Sequence, residues 1–326
     1  MKKLFLLAVI AAVAMSSCSS NENEPTASNA KAISFGTYVG RSTRGSNAVL
    51  TTTYPTDGSF MVLGYNTGTK GIAAASTYSL NYMRSEVTFD GTNYNYFPVK
   101  YWPDTTTPDS ISFFAIHPAM DVMNTLTPQL NGNTLPSVDF TVKSDPLVQA
   151  DLMMSCVRNQ QSGQVSFAFA HQLTRVSFSA QLAADYNSTG DYIHITSIVV
   201  GGVNNEATFT FGKFGNVIES TPTGTANFTL NSTANLVSNG YVSSTTSAPV
   251  NLSNSYLLMI PADYSSSNTT TITVTYDVES ADGTKVTHVI ANNVKDVWKS
   301  GTAINYNMTI SLSGVTITTG AAQWSE

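Results

Sequence analysis

The sequence predicts an all-β protein of antiparallel sandwiches, arranged as two domains in tandem. Three observations predict it. Apolar residues recur with period two over most of the chain. β-branched and aromatic residues are enriched where they do. Short turn signals divide one run from the next. Alternation of this kind puts one face of a strand in a core and the other in water, and the enriched types fit a pleated, half-buried surface.

The chain opens with a segment that belongs to no fold. Lys2 and Lys3 precede an apolar run, Leu4 to Val13, and the small pair Ser16 and Ser17. The run has the length of an export signal and is too short for a membrane-spanning helix. Residues 1–17 are therefore read as a signal peptide. Met15-Ser16-Ser17-Cys18 resembles a lipobox, in which the cysteine is acylated and becomes the new N-terminus. Cys18 is one of only 2 cysteines in 326 residues, so its position here points to lipidation over chance. The lipid would hold the protein on the outer membrane, each buried methylene contributing about 0.8 kcal/mol. Residues 18–31 are polar, include Glu22 and Glu24, and read as a flexible tether. Acidic residues close behind the lipidated cysteine also resemble a surface-export signal.

The strand pattern starts at Ile33, where Ile33, Phe35 and Thr37 alternate with Ser34 and Gly36. Phe60 to Gly64 is a short apolar run. Val165, Phe167 and Phe169 alternate with Ser166 and Ala168, and Val176 and Phe178 follow. Ile272, Val274 and Tyr276 alternate with threonines. Tyr306, Met308, Ile310 and Leu312 alternate with Asn305, Asn307, Thr309 and Ser311. Asp57-Gly58, Asp90-Gly91, Asn131-Gly132, Asn239-Gly240 and Asp282-Gly283 mark turns. A polar seam at Asn159 to Gly163 sets the expected domains at 32–162 and 163–326. No stretch sustains a helical period, and many short strands with turns between them argue for sandwiches.

Composition narrows the function classes. Charged residues are 11% of the chain and the net charge is −6, with no basic patch for nucleic acid. If Cys18 is acylated the chain offers Cys156 no second thiol for a disulfide, so neither a disulfide framework nor a cysteine metal site is expected. Its neighbours Met153 and Met154 place it as a buried thiol. His117, His171, His194 and His288 show no paired metal-ligand spacing. No nucleophile elbow or phosphate loop appears. Asp139, Asp145 and Asp151 are the acidic residues from which a glycosidase pair would have to come. No enzyme, cofactor or metal site is expected. The aromatic segment Asn93 to Pro103 reads in two ways, as strand ends packing into the first core beside Ile111 to Pro118, or as a sugar-stacking platform around Trp102.

Taken in order, the motifs resemble the fimbrillins, pilus subunits of Gram-negative anaerobes, and in particular the minor-fimbrium-like branch. The resemblance runs through the lipobox at Cys18, Ile33-Ser34-Phe35 with Thr43-Arg44-Gly45, and Lys100-Tyr101-Trp102-Pro103. It continues through Ile111 to Ala115 with His117-Pro118, Asp151-Leu152-Met153, and Val165 to Phe169 with His171-Gln172-Leu173. It ends with Leu258 to Pro261, Trp298 to Gly301 with Tyr306, and Trp324. The resemblance implies transthyretin-like sandwiches and a surface lipoprotein precursor. It also implies polymerisation by proteolysis-triggered strand exchange, with other pilus subunits as partners in a homo- or hetero-polymer.

Applied here, the removable strand carries Ile33, Phe35 and Val39. The cut follows Arg44, with Arg41 the second choice, and a solvated loop is the competing reading of both arginines. The donor strand lies in 314–324 and carries Val315, Ile317 and Trp324, with Gly314 as hinge. An ordinary last strand of the C-terminal domain competes with that reading. A glycan-binding surface lipoprotein that does not polymerise is the alternative function.

Overall fold

The computed structural model describes residues 31–39, 59–71, 79–103, 109–119, 126–129, 135–186, 191–212, 218–234, 236, 240–242, 250–252 and 256–322. Cys18, Arg41, Arg44 and Trp324 lie outside them. The strands are β1 Ser34–Val39, β2 Ser59–Asn66, β3 Ser79–Phe89, β4 Tyr94–Asn95, β5 Ile111–His117, β6 Leu126–Gln129 and β7 Ser137–Thr141. Next come β8 Met153–Gln160, β9 Gln164–His171, β10 Thr174–Leu182, β11 Tyr192–Val203, β12 Glu206–Phe211, β13 Ile218–Thr223 and β14 Ala226–Asn231. The last are β15 Tyr241–Val242, β16 Val250–Asn251, β17 Leu257–Met259, β18 Thr271–Glu279, β19 Lys285–Asn293, β20 Ala303–Ser311 and β21 Gly314–Ala322. Among the described residues there is no α-helix. The fold is all-β, as the alternation predicts.

Four sheets carry these strands. The first has seven in the order β1-β9-β8-β5-β2-β3-β4, and a four-stranded sheet runs β13-β12-β7-β6. The other two run β16-β10-β20-β21, with β17 also on β10, and β14-β11-β18-β19, with β15 also on β11. Most pairings are antiparallel, but β1–β9 and β10–β20 are parallel. The expected seam, Asn159 to Gly163, spans the end of β8 and the turn into β9, and both strands belong to the seven-stranded sheet. β12, from the later half of the chain, pairs with β7 from the earlier half.

The period-two pattern explains the cores. On β5 both faces are buried, so its sequence is apolar throughout. Phe114 and Ile116 face one core with Met61, Leu63 and Tyr65 of β2. Val138 and Phe140 of β7 and Phe209 and Phe211 of β12 join it, and Phe114 and Phe211 meet ring to ring at 4.9 Å. This core continues through Phe178, Ile198, Val274, Trp298 and Tyr306. Ile111, Phe113 and Ala115 face a second core with Phe60, Val62, Val165, Phe167 and Phe169.

Ile33 and Phe35 belong to that second core. A bulge interrupts β11 between Val200 and Val203, where Gly202 has φ 68° and an added Cβ would sit 2.5 Å from the Thr269 carbonyl oxygen. Only glycine fits there.

Candidate functional site

β1 sits at the edge of the seven-stranded sheet, and β9 is its one strand partner among the described residues. The pairing runs from Ser34 opposite Gln164 to Val39 opposite Phe169. β9 pairs with β8 only at Met153↔His171 and Met154↔Ala170. Over residues 164–169, therefore, the main chain of β9 is matched by β1 and by no other described strand.

The side chains fix β1 more firmly than its edge position suggests. Ile33 and Phe35 are buried. The Phe35 ring stacks on Phe167 at 5.7 Å, meets Phe113 edge-on at 6.0 Å and touches Tyr96 at 5.1 Å. The Gln164 amide donates to the Phe35 carbonyl at 3.1 Å, and the Thr37 and Tyr94 hydroxyls share a hydrogen bond. Val39 closes the strand by pairing with Phe169.

A brace crosses the start of β1. The Ile33 amide donates to the Lys100 carbonyl at 2.9 Å, and the Trp102 amide donates to the Lys31 carbonyl at 3.0 Å. Ala32 and Tyr101 thereby form an antiparallel bridge. The Tyr96 hydroxyl donates to the Ile33 carbonyl at 2.9 Å. Trp102 ties the brace to the head of β9, its indole Nε1 donating to the Gly163 carbonyl at 3.1 Å. Sequence reasoning did not assign Gln164 or this brace to the site.

Trp102 is buried and packs edge-on against Phe113. It is part of the second core, so its indole face is not presented to a sugar. Ile111–His117 pairs with β2 and β8; among the described residues the aromatic segment pairs instead with β3 and, through Tyr101, with Ala32 just before β1. β5 is central in its sheet and both its edges are already taken.

At the other end, β21 pairs antiparallel with β20, its one strand partner among the described residues, from Ser311↔Gly314 to Ala303↔Ala322. It closes its sheet as an edge strand joined through the turn at Leu312 and Ser313. Val315 is buried, Ile317 is half-buried against the core, and Thr316 and Thr318 face water. Gly314 has φ 139°, in the region that favours glycine.

The remaining polar candidates have local partners. His171 Nδ1 lies 2.5 Å from an Asp151 carboxylate oxygen. Asp139 accepts from the Thr208 hydroxyl at 2.6 Å, and Asp145 accepts from the Leu147 amide at 3.0 Å. His194 stacks on Tyr241 and His288 on Tyr276. Among the described residues no group of three or more His, Cys, Asp or Glu is placed to hold a metal ion. Burial raises the pKa of the Cys156 thiol, against the opposing charge of Arg158.

A model of the fimbrillin-like family matches residues 43–324. The chain belongs to the fimbrillin-like family. Its fold is shared by a fimbrial protein from Bacteroides vulgatus ATCC 8482, at TM-score 0.69 and 20% identity over 91% of this chain and 100% of that one. It is also similar to a protein described as a candidate cell adhesion protein from Bacteroides uniformis ATCC 8492. There the TM-score is 0.50 and the identity 16%, over 93% of this chain and 100% of that one. No curated protein sequence matches this fimbrillin-like chain.

Proposed function

We propose that this fimbrillin-like chain is a structural subunit of a surface pilus. In this reading it is exported as a lipoprotein through Cys18, held at the outer membrane until processing, and polymerised by strand exchange. Cleavage after Arg44, or after Arg41, frees β1 together with the lipid. β21 of another subunit then fills the place that β1 leaves. The role is structural and adhesive, not catalytic. Family membership and the fimbrial protein of similar fold support the pilus assignment.

One observation carries the exchange step: β1 is an edge strand that with its lead-in sets Ile33 and Phe35 in the second core, while among the described strands only β1 pairs with β9 over residues 164–169. Losing β1 exposes the pocket of Ile33 and Phe35 and leaves a row of unpaired amides and carbonyls, a template for another strand. A donated strand satisfies both at once, its main chain supplying affinity and its alternate side chains supplying fit.

Limited trypsin digestion tests this. The precursor should be cut near Arg44 with the remainder intact, and the cut protein should form ladders that resist mild detergent. An Arg44→Ala, Arg41→Ala double variant should stay monomeric under the same protease. If the double variant assembles as wild type does, cleavage is not the trigger.

A further inference from the structure

We propose that the exposed side chains of Phe97, Val99 and Tyr101 seat the folded precursor on the lipid bilayer that holds the acyl group of Cys18, so that the protein rests on the membrane through a built contact as well as through its anchor. This rests on the lipoprotein reading and extends it from the leader to the fold.

Phe97 is 88% exposed, Val99 45% and Tyr101 48%. No other five-residue stretch among the described residues exposes three large apolar side chains. Apolar clusters left bare in this way mark partner or membrane contacts. The polar groups of the segment are spent inside the protein. The Lys100 amide donates to the Tyr96 hydroxyl at 3.2 Å, and the Lys100 carbonyl accepts from the Ile33 amide at 2.9 Å. The Tyr101 carbonyl accepts from the Tyr82 hydroxyl, and the Trp102 amide is held by the Lys31 carbonyl. Pro98 brings no amide at all. Main chain whose hydrogen bonds are made within the protein enters an apolar layer at less cost, because unmade bonds are what hydrocarbon penalises. A sugar asks for the opposite, polar groups left free beside the rings to fix its orientation.

The path of the chain names the surface. Ala32 is bridged to Tyr101, and Lys31 is bonded to Trp102, so the cluster stands where the chain from the leader joins the fold. Lys31 comes 13 residues after Cys18. Covalent geometry limits that span to about 45 Å at full extension. Acylation of Cys18 would therefore keep the cluster near the bilayer, at an effective concentration that lets even a weak contact form. The side chains suit such a surface. Tyrosine settles at the membrane–water boundary, its ring among apolar groups and its hydroxyl among headgroups. Phe97 and Val99 supply apolar area beside it. Lys31 is exposed and Lys100 half-buried on either side of the bridge, and cationic side chains at that depth are drawn to anionic headgroups.

Polarity-sensitive dyes test the contact in acylated full-length precursor bound to vesicles of phosphatidylethanolamine and phosphatidylglycerol. Cys156 is buried with its thiol pKa raised, and Cys18 carries the acyl group, so a single introduced cysteine takes the label. A dye on Phe97→Cys should emit further to the blue on vesicles than in the same chain left unacylated by Cys18→Ser and free in solution. A dye on Val289→Cys, exposed on β19, should emit alike in both. Phe97→Asp should cut the blue-shifted fraction of a dye on Val99→Cys about tenfold, the loss expected when one large apolar side chain stays in water. Phe97 is exposed, so the thermal midpoint of Phe97→Asp should stay at the wild-type value and report intact folding. A wild-type chain that carries no acyl group on Cys18 sinks the lipoprotein reading, and this contact with it. Acylated protein that binds vesicles while the Phe97→Cys dye keeps its solution emission overturns the contact and leaves the lipoprotein reading standing. A blue shift that grows with protein concentration in the absence of vesicles assigns the cluster to a second copy and overturns the contact equally.

Discussion

Replacing Phe35 by alanine isolates the strength with which β1 is held. The Phe35 side chain is buried and has Tyr96, Phe113 and Phe167 within 6.0 Å, ring centre to ring centre. Burying a phenylalanine contributes about 1.5–3 kcal/mol, and each well-placed aromatic pair adds about 0.5–1.5 kcal/mol. Phenylalanine-to-alanine changes in cores cost about 3–5 kcal/mol, less where the site can collapse. An edge strand can shift inward, so about 3 kcal/mol is the working figure for Phe35→Ala, at the low end of that range. At about 1.4 kcal/mol per factor of ten, that is roughly a hundredfold faster release of the cut N-terminal fragment. Release is followed by size-exclusion chromatography and mass spectrometry of protein trimmed with trypsin. Ser34→Ala, on the exposed face of the same strand, is the control and should release at the wild-type rate. A Phe35→Ala fragment that leaves no faster than wild type refutes the claim that this side chain anchors β1.

Three further outcomes follow from the same structure. Trp102→Ala should lower stability by about 3–4 kcal/mol in chemical denaturation, as for a large aromatic lost from a core; an unchanged midpoint would mean that the indole is dispensable to packing. Gly202→Ala should cost at least about 1–2 kcal/mol from its φ alone, with the Thr269 carbonyl contact adding to it, and should show as a lowered thermal midpoint.

Alkali should unfold the protein through its buried tyrosines. Burial pushes the Tyr65 phenol up to about 12 and drives Tyr306 upward as well. An unfolded tyrosine titrates near 10. The fold thus favours the protonated phenols. The Tyr65 contribution is complete below pH 10 and is lost as pH rises through 12, at up to about 1.4 kcal/mol per pH unit. Tyr65→Phe should flatten that fall, and an equal slope in the variant would contradict the assignment.

Much of this was legible in the sequence because alternation records burial. Val165, Phe167 and Phe169 are the inward face of β9, Ile272, Val274 and Tyr276 that of β18, and Tyr306, Met308 and Ile310 that of β20. Asp90-Gly91 and Asp282-Gly283 lie at the turns they signalled, and Ile33 and Phe35 are core residues. What alternation does not record is the partner. Nothing in Ile33 to Val39 says that its neighbour begins at Gln164, or that the pairing is parallel, because period two states only which face is wet. The same applies to β10 and β20, whose paired residues lie about 128 positions apart. Trp102 was ambiguous for a related reason, since an aromatic in a polar, proline-bearing segment reads alike whether it stacks outward or packs inward. The brace from Lys100 to Trp102 depends on main-chain hydrogen bonds, which carry no residue signature.

The central claim is that β1 occupies a place another subunit later takes. Mass spectrometry of the subunits inside detergent-resistant ladders tests it most directly. Strand exchange predicts chains that begin at Gly45, with no peptide from Ile33 to Val39 and no acylated Cys18 in the ladder. Ladder subunits that still carry the Ile33 to Val39 segment would contradict it.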